Sequence, residues 1–232
     1  MAFYLAIQLI SLIGYMAREA IVSLLIVDIV GAKDAPFYVG IVQAGAFFSG
    51  ALLGIWIGSF VDQHNKRRVL QVTGVVNVVQ GLVLAVLTFS DHHSVSPSLI
   101  IAIAFIGGIA GAIDNIARNS IIGDIVQEKK NISHGSIWFG SLYTVAMVCG
   151  QGLAGNLIVS YGYGWSFILC SASALTLVVG FEWLKYEHKA PTTPRMSAMQ
   201  IIRYVFLENK NIRTMVILAT LATVFGFTYN RV

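Results

Sequence analysis

From its first residues onward this chain keeps returning to stretches of about twenty residues that are almost free of charge, at positions 3–27, 37–60, 69–89, 97–121, 136–159, 165–184 and 212–229. A helix of that length rises about 30 Å, the thickness of a bilayer's hydrocarbon core. Outer-membrane barrel strands need only about 10 residues. Each window therefore reads as a membrane-crossing helix, which satisfies its own backbone groups where no water can. Composition agrees: 56% of residues are hydrophobic and 11% charged, against about 25% charged in soluble domains, and mean hydropathy is +0.76. The first window lacks the basic leader of a signal peptide and carries Arg18 and Glu19 inside it, so it counts as the first span.

A net charge of +4 and a pI near 9.1 invite a nucleic-acid reading, but the placement of the cations opposes it. Lys66, Arg67 and Arg68 follow the second window; Arg118, Lys129 and Lys130 close the fourth; Lys185, Lys189, Arg195, Arg203, Lys210 and Arg213 lie between the sixth and seventh. The opposite loops hold Lys33 and Arg231. By the positive-inside rule the N-terminus and the 2–3, 4–5 and 6–7 loops are cytoplasmic, in a plasma (inner) membrane protein that passes the bilayer several times. The partner implied is the lipid bilayer, with no nucleic acid.

Cys149 and Cys170 fall inside windows, as small apolar packing residues, and no zinc spacing or disulfide framework is present. The histidines, His64, His92, His93, His134 and His188, sit in or beside loops. With neither an HExxH nor a GxSxG pattern, the sequence gives no footing for an enzyme, a metal site or a cofactor.

The fold expected is an all-α membrane protein. Residues 1–184 form a six-helix bundle. Residues 185–211, with Pro191, Pro194 and a Ser197 cap before Ile201, Ile202, Val205 and Phe206, form a cytoplasmic linker with an amphipathic helix. Residues 212–232 form a seventh span that begins a second bundle. Glycines four apart, Gly50, Gly54 and Gly58 in the second window and Gly107 and Gly111 in the fourth, offer smooth faces for close helix packing.

The 2–3 loop, Gly58-Ser59-Phe60-Val61-Asp62-Gln63-His64-Asn65-Lys66-Arg67-Arg68-Val69-Leu70, sets a carboxylate at the membrane edge and three cations at a helix start. Cations there oppose the helix dipole, so they call for partners. Asp114 and Arg118, one turn apart on the fourth window, are the partners expected: Asp114 for the basic cluster, Arg118 for Asp62. Either this group is a conformational switch or its cations are plain topology anchors.

This loop resembles the signature of the major facilitator superfamily, Gly-x-Leu-Ala-Asp-Arg-x-Gly-Arg-Arg-x-x-Leu, at Gly58, Asp62, Lys66, Arg67 and Leu70, with Gln63 in place of Arg and Asn65 in place of Gly. Asp114-Asn115-Ile116-Ala117-Arg118 resembles the fourth-helix run of the enterobactin-exporter and macrolide-efflux-like branch. Gly150-Gln151-Gly152-Leu153-Ala154-Gly155 is similar to the fifth-helix packing motif of proton-driven antiporters, with Gly150, Ala154 and Gly155 at its small positions. The resemblance implies two six-helix bundles rocking about a midplane site, a latch at Asp62 and its basic partners, and proton-coupled efflux of small drug-like or siderophore-like molecules. Against that whole, the chain reads as truncated, with its C-terminal half missing. The alternative is a half-transporter that moves nothing and acts as an assembly or regulatory subunit or a gene remnant.

In the first window Gln8, Ser11, Tyr15 and Arg18 share one helical face, with Glu19 beside it. A charge inside a span marks function by default, so Arg18 and Glu19 are the leading candidates for binding substrate or protons, and a purely structural pair is the competing reading. Gln43 and Asn77, with Gln80, are further polar groups at depth; Phe47, Phe48, Trp138 and Tyr143 are aromatics able to line a cavity.

Overall fold

The computed structural model of the chain describes residues 2–91, 95–125 and 132–183, together with 200, 203–204, 213–215 and 217–218. Five helices carry the larger part: α1 (Ala2–Val30), α2 (Ala35–Gln63), α3 (Lys66–Asp91), α4 (Pro97–Ile125) and α5 (Ile132–Trp183), and no strand occurs among the described residues. The first four windows fall one to a helix. The fifth and sixth share α5, whose 52 residues would span about 78 Å if straight, far more than a bilayer.

They do not run straight. Gly162 adopts φ 73 and ψ 173, a conformation essentially reserved for glycine. Both arms of α5 then lie against the same stretch of α1. A Cβ on Gly150, before the break, would stand 2.6 Å from the Ile13 carbonyl oxygen, and Ser173, after it, occupies the space beside Gly14. The chain therefore turns back at one glycine, where the sequence suggested a loop across 160–164.

The other junctions are equally short. Gly31, at φ 83, ends α1 and returns its N–H to the Val27 carbonyl at 3.0 Å, the left-handed stop that glycine permits. Pro36 opens α2. Asn65 caps α3 by accepting the Arg67 N–H at 3.0 Å, a role that its side-chain oxygen suits. Ser96 precedes Pro97 and accepts the N–H groups of Leu99 and Ile100 through its carbonyl.

These turns make neighbouring helices alternate in direction, and apolar side chains seal the two ends of the bundle. At one end Tyr4, Ile57, Val61, Val69, Leu70, Ile121 and Phe181 pack together. At the other, Ile21, Leu25, Val42, Leu84, Ile100 and Phe167 do so. Helix α3 is turned inside out relative to a soluble helix: Val72, Val75, Val79, Leu82 and Val86 face outward while Thr73, Asn77 and Gln80 are buried. Such a helix is stable only where the surroundings are greasier than the interior. The stretches Tyr4–Val30, Lys66–Phe89, Pro97–Ile121 and Ile137–Trp183 are long and apolar enough to cross a membrane, and residues 35–61 of α2 carry no charge.

Two compact units divide the chain, Met1–Ala190 and Pro191–Val232. In the second, the described residues are helical, with Tyr204, Met215, Ile217 and Leu218 exposed. The Pro-containing stretch at 191–194, Ser197, most of the amphipathic segment and 219–232 lie outside the described residues, as do His92, His93 and the side chains of Phe47 and Phe48.

Candidate functional site

Three helices share a polar seam between the two apolar seals. Helix α1 contributes Gln8, Ser11, Tyr15 and Arg18, α3 contributes Thr73, Asn77 and Gln80, and α4 contributes Asp114 and Arg118. The spacings of three and four on α1 and α3 stack these groups on one face of each helix. At the level of Ser11, the Arg118 guanidinium pairs with Asp114 through Nε and donates from Nη2 to Ser11 Oγ at 3.2 Å; Thr73 Oγ1 donates to Asp114 Oδ1 at 3.0 Å. Farther along α1, Arg18 donates to the Asn77 carbonyl at 3.1 Å and to Asn77 Oδ1 at 2.9 Å. Its other neighbours are Glu19, 3.6 Å away, and the Tyr15 ring, 5.1 Å from Cζ to centroid. Gln80 continues the seam, donating to the Ile103 carbonyl at 3.0 Å.

The seam sets two arginines, Arg18 and Arg118, against two carboxyl side chains, Glu19 and Asp114. Charges buried singly in hydrocarbon are expelled or unstable, whereas paired ones persist. The two ends of the Arg18 pair differ in access: the Arg18 side chain is 4% exposed and that of Glu19 27%. Glu19 is the more exposed member of the pair. Nearby, Ser23 Oγ donates to the Glu19 carbonyl at 3.1 Å and receives Gln43 Nε2 at 3.3 Å, which ties α2 to this region.

Of the residues singled out from the sequence, Gln8, Tyr15, Arg18, Glu19, Asn77, Asp114 and Arg118 line this seam or border it, and Gln43 joins its rim. The glycines divide. Gly111 and Gly107 on α4 admit polar side chains rather than a bare helix face: a Cβ there would sit 2.5 Å from Tyr15 Oη and 2.1 Å from Gln80 Nε2. Gly150 faces α1, and Ala154, one turn on, is buried. At Gly54, Gly58 and Gly155 a Cβ would meet nothing within 4 Å. Helical spacing alone does not say which face a glycine occupies, and these three face away from the packed interior. Helix α2 runs on past Gly58 to Gln63.

The 2–3 loop cluster is built differently from the expected one. Arg118 is buried against Asp114 and Ser11, and among the described residues it forms no ion pair with Asp62. Asp62 is exposed and accepts Ser120 Oγ at 3.4 Å, while the Ser120 carbonyl accepts Lys66 Nζ at 3.3 Å. Ser120 thus bridges both sides of the loop. Arg67 pairs with Glu182 near the end of α5 at 2.9 Å, and Gln71 donates to the other Glu182 oxygen at 2.6 Å. Glu182 was missed because it lies far away in sequence; a carboxylate near the end of the sixth window, on the side where the positive-inside reading puts the basic loops, was the available signal. Thr73 was missed because its spacing with Asn77 and Gln80 shows only when the three are read together.

Among the described residues no group of His, Cys, Asp and Glu is placed to hold a metal. What the geometry defines is an integral, multi-pass helical membrane protein with a polar interior seam. Residues 7–230 match the family model of the Major Facilitator Superfamily, and the chain belongs to that superfamily. It is 25% identical over 195 residues to a staphyloferrin A transporter of Staphylococcus aureus (strain NCTC 8325 / PS 47). That alignment covers 83% of this chain and 48% of the relative, so the chain spans about half the length of the curated relative it matches.

Proposed function

We propose that the chain serves secondary active transport: efflux of a small siderophore-like or drug-like molecule, coupled to protons, in a plasma (inner) membrane with the N-terminus in the cytoplasm. The observation that carries this reading is the buried seam, above all Arg18 held by Asn77 with Glu19 as its accessible partner. Ionisable groups are costly inside a span and are kept where they face a bundle interior or a water-filled path, and a cargo site needs polar groups that lipid cannot reach. The relative's name supports a siderophore as the cargo class. In this reading Glu19 is the proton-linked group, and Tyr15, Gln8 and Gln43 shape the surrounding site.

The cluster at Asp62, Lys66 and Arg67 then acts as a cytoplasmic latch, favouring the outward-open arrangement. The exposure of Asp62 at the bundle's end, away from the buried Asp114 and Arg118, supports a role in conformational balance rather than in folding.

The test uses everted membrane vesicles containing the protein, with radiolabelled staphyloferrin A as probe. The reading expects accumulation driven by an inward-acid gradient and abolished in Glu19→Gln while the protein stays folded. Gradient-independent behaviour identical in Glu19→Gln and the parent would remove Glu19 from the site, and no handling of the probe at all would remove the cargo class. Topology is checked with Gln63→Cys, which a membrane-impermeant maleimide should label from the cytoplasmic side; labelling only from outside would invert the orientation.

A further inference from the structure

Three consecutive cations open α3, and they meet different fates. Lys66 Nζ donates to the Ser120 carbonyl at 3.3 Å, and Arg67 pairs with Glu182 at 2.9 Å. Arg68, the third, is exposed, and among the described residues it makes no hydrogen bond or ion pair. A cation in the first turn opposes the helix dipole, so local helix stability gives no reason for it. The carboxylate at this end of α5 is not spare, because Arg67 takes one Glu182 oxygen and Gln71 the other.

Steps of four and three carry Arg68 onto Val72, Val75, Val79, Leu82 and Val86. All five are exposed, Val72 at 63% and Val86 at 70%. Arg68 therefore heads the apolar stripe that the bilayer covers. The packing of α3 leaves this stripe free: Gly74 lies against Val178 and Gly81 against Ser171 on α5, while Thr73, Asn77 and Gln80 bond into the seam. Those two glycine contacts run antiparallel, which brings the end of α5 beside the start of α3, and there Trp183 is 77% exposed. At the far end of the stripe Phe89 and Trp165 are both exposed and meet edge-on, with centroids 5.7 Å apart. From Arg68 to Phe89 the helix rises about 32 Å, close to the thickness of a hydrocarbon core. Tryptophan favours the two membrane interfaces, so Arg68 and Trp183 stand at the level of the lipid headgroups and the valines beside the acyl chains.

We infer that Arg68 and the valine stripe dock an acidic phospholipid, its phosphodiester oxygens accepting from the guanidinium and an acyl chain lying along Val72, Val75 and Val79. Charge complementarity selects the acidic class. The Arg68 guanidinium is a permanent cation whose donors lack a protein acceptor, and a phosphodiester offers the paired oxygens that its fork fits. A zwitterionic headgroup would instead bring a fourth cation beside Lys66, Arg67 and Arg68. The docking depends on neither cargo nor membrane orientation, since it uses only the lipid-facing side of α3.

Native mass spectrometry of the protein released from micelles holding equal phosphatidylglycerol and phosphatidylcholine, matched in acyl chains, provides the test. The parent should retain phosphatidylglycerol in about five-fold preference, the contribution of one surface arginine. Arg68→Gln should bring the two lipids to parity and Arg68→Lys should keep a preference. Lys33→Gln, which removes an equal charge from the 1–2 loop, should leave the preference intact. Phosphatidylglycerol should also raise the Tm of the parent more than that of Arg68→Gln, with the two equal in phosphatidylcholine alone. Equal retention of both lipids by the parent, a preference that survives in Arg68→Gln, or one that falls as far in Lys33→Gln would overturn the inference. So would displacement of the lipid by inorganic phosphate, which would mark an ion site in place of a lipid one.

Discussion

The Asp114 and Arg118 pair sits where its disruption has a calculable cost. Their side chains are 9% and 3% exposed, and Arg118 also donates to Ser11 while Asp114 accepts from Thr73. Asp114→Asn keeps an oxygen for Thr73 but leaves the guanidinium unneutralised in the interior. Arg118→Met leaves the carboxylate with a single hydroxyl for company. Removing one partner of a buried pair costs about 3–5 kcal/mol, whereas replacing both by groups of similar volume is often near neutral. For a chain of this size about 2–4 °C of Tm corresponds to each kcal/mol, so either single variant should unfold about 10 °C below the parent. The double variant should recover most of that loss. Thermal unfolding in detergent, followed by tryptophan fluorescence and arranged as a double-mutant cycle, reads the coupling directly. Single variants within about 2 °C of the parent, or strictly additive effects, would show that the two charges do not depend on one another.

Helix crossing gives a paired test: Gly150→Ala drives a Cβ into the Ile13 carbonyl and should cost about 1–3 kcal/mol, whereas Gly155→Ala meets nothing and should be neutral or slightly stabilising, both read as Tm. Gly162→Ala forces a side chain into a conformation held by glycine and should destabilise by about 1–3 kcal/mol in the same assay. Glu182→Gln breaks the Arg67 pair but should change stability by less than about 1 kcal/mol, since the Glu182 side chain is 64% exposed; a larger loss would give that contact an unsuspected structural role. Asp62→Asn should leave Tm unchanged, as the hydrogen bond it accepts from Ser120 is long and exposed, while raising cytoplasmic cysteine accessibility; unchanged accessibility would end the latch reading.

Helix positions could be read from the sequence because lipid imposes a length and forbids unpaired backbone, and both constraints act on residues in a row. The polar face of α1 was legible for the same reason: Gln8, Ser11, Tyr15 and Arg18 repeat at helical spacing within one span. Partners across helices were not. Arg118 stands equally ready, by spacing, for Asp62 or for Asp114, and only packing shows that burial joins it to its own helix. Gly107 and Gly111 share their spacing with Gly54 and Gly58, yet one pair admits Gln80 and Tyr15 while the other faces away from the interior. Gly162 carried no signal beyond a short gap between windows, because a reversal made by one residue leaves almost no compositional trace.

The central claim is that the seam beside Arg18 and Glu19 opens to water and receives cargo. Gln43→Cys, in a background with Cys149 and Cys170 replaced by alanine, places a thiol on α2 at the rim of that seam without altering either charge. Its rate of modification by a membrane-impermeant thiol reagent, measured with and without staphyloferrin A, tests the claim most directly. The account predicts modification from the aqueous phase and a several-fold slowing by the siderophore. A thiol that never reacts, or one that reacts at the same rate whether the siderophore is present or absent, contradicts it.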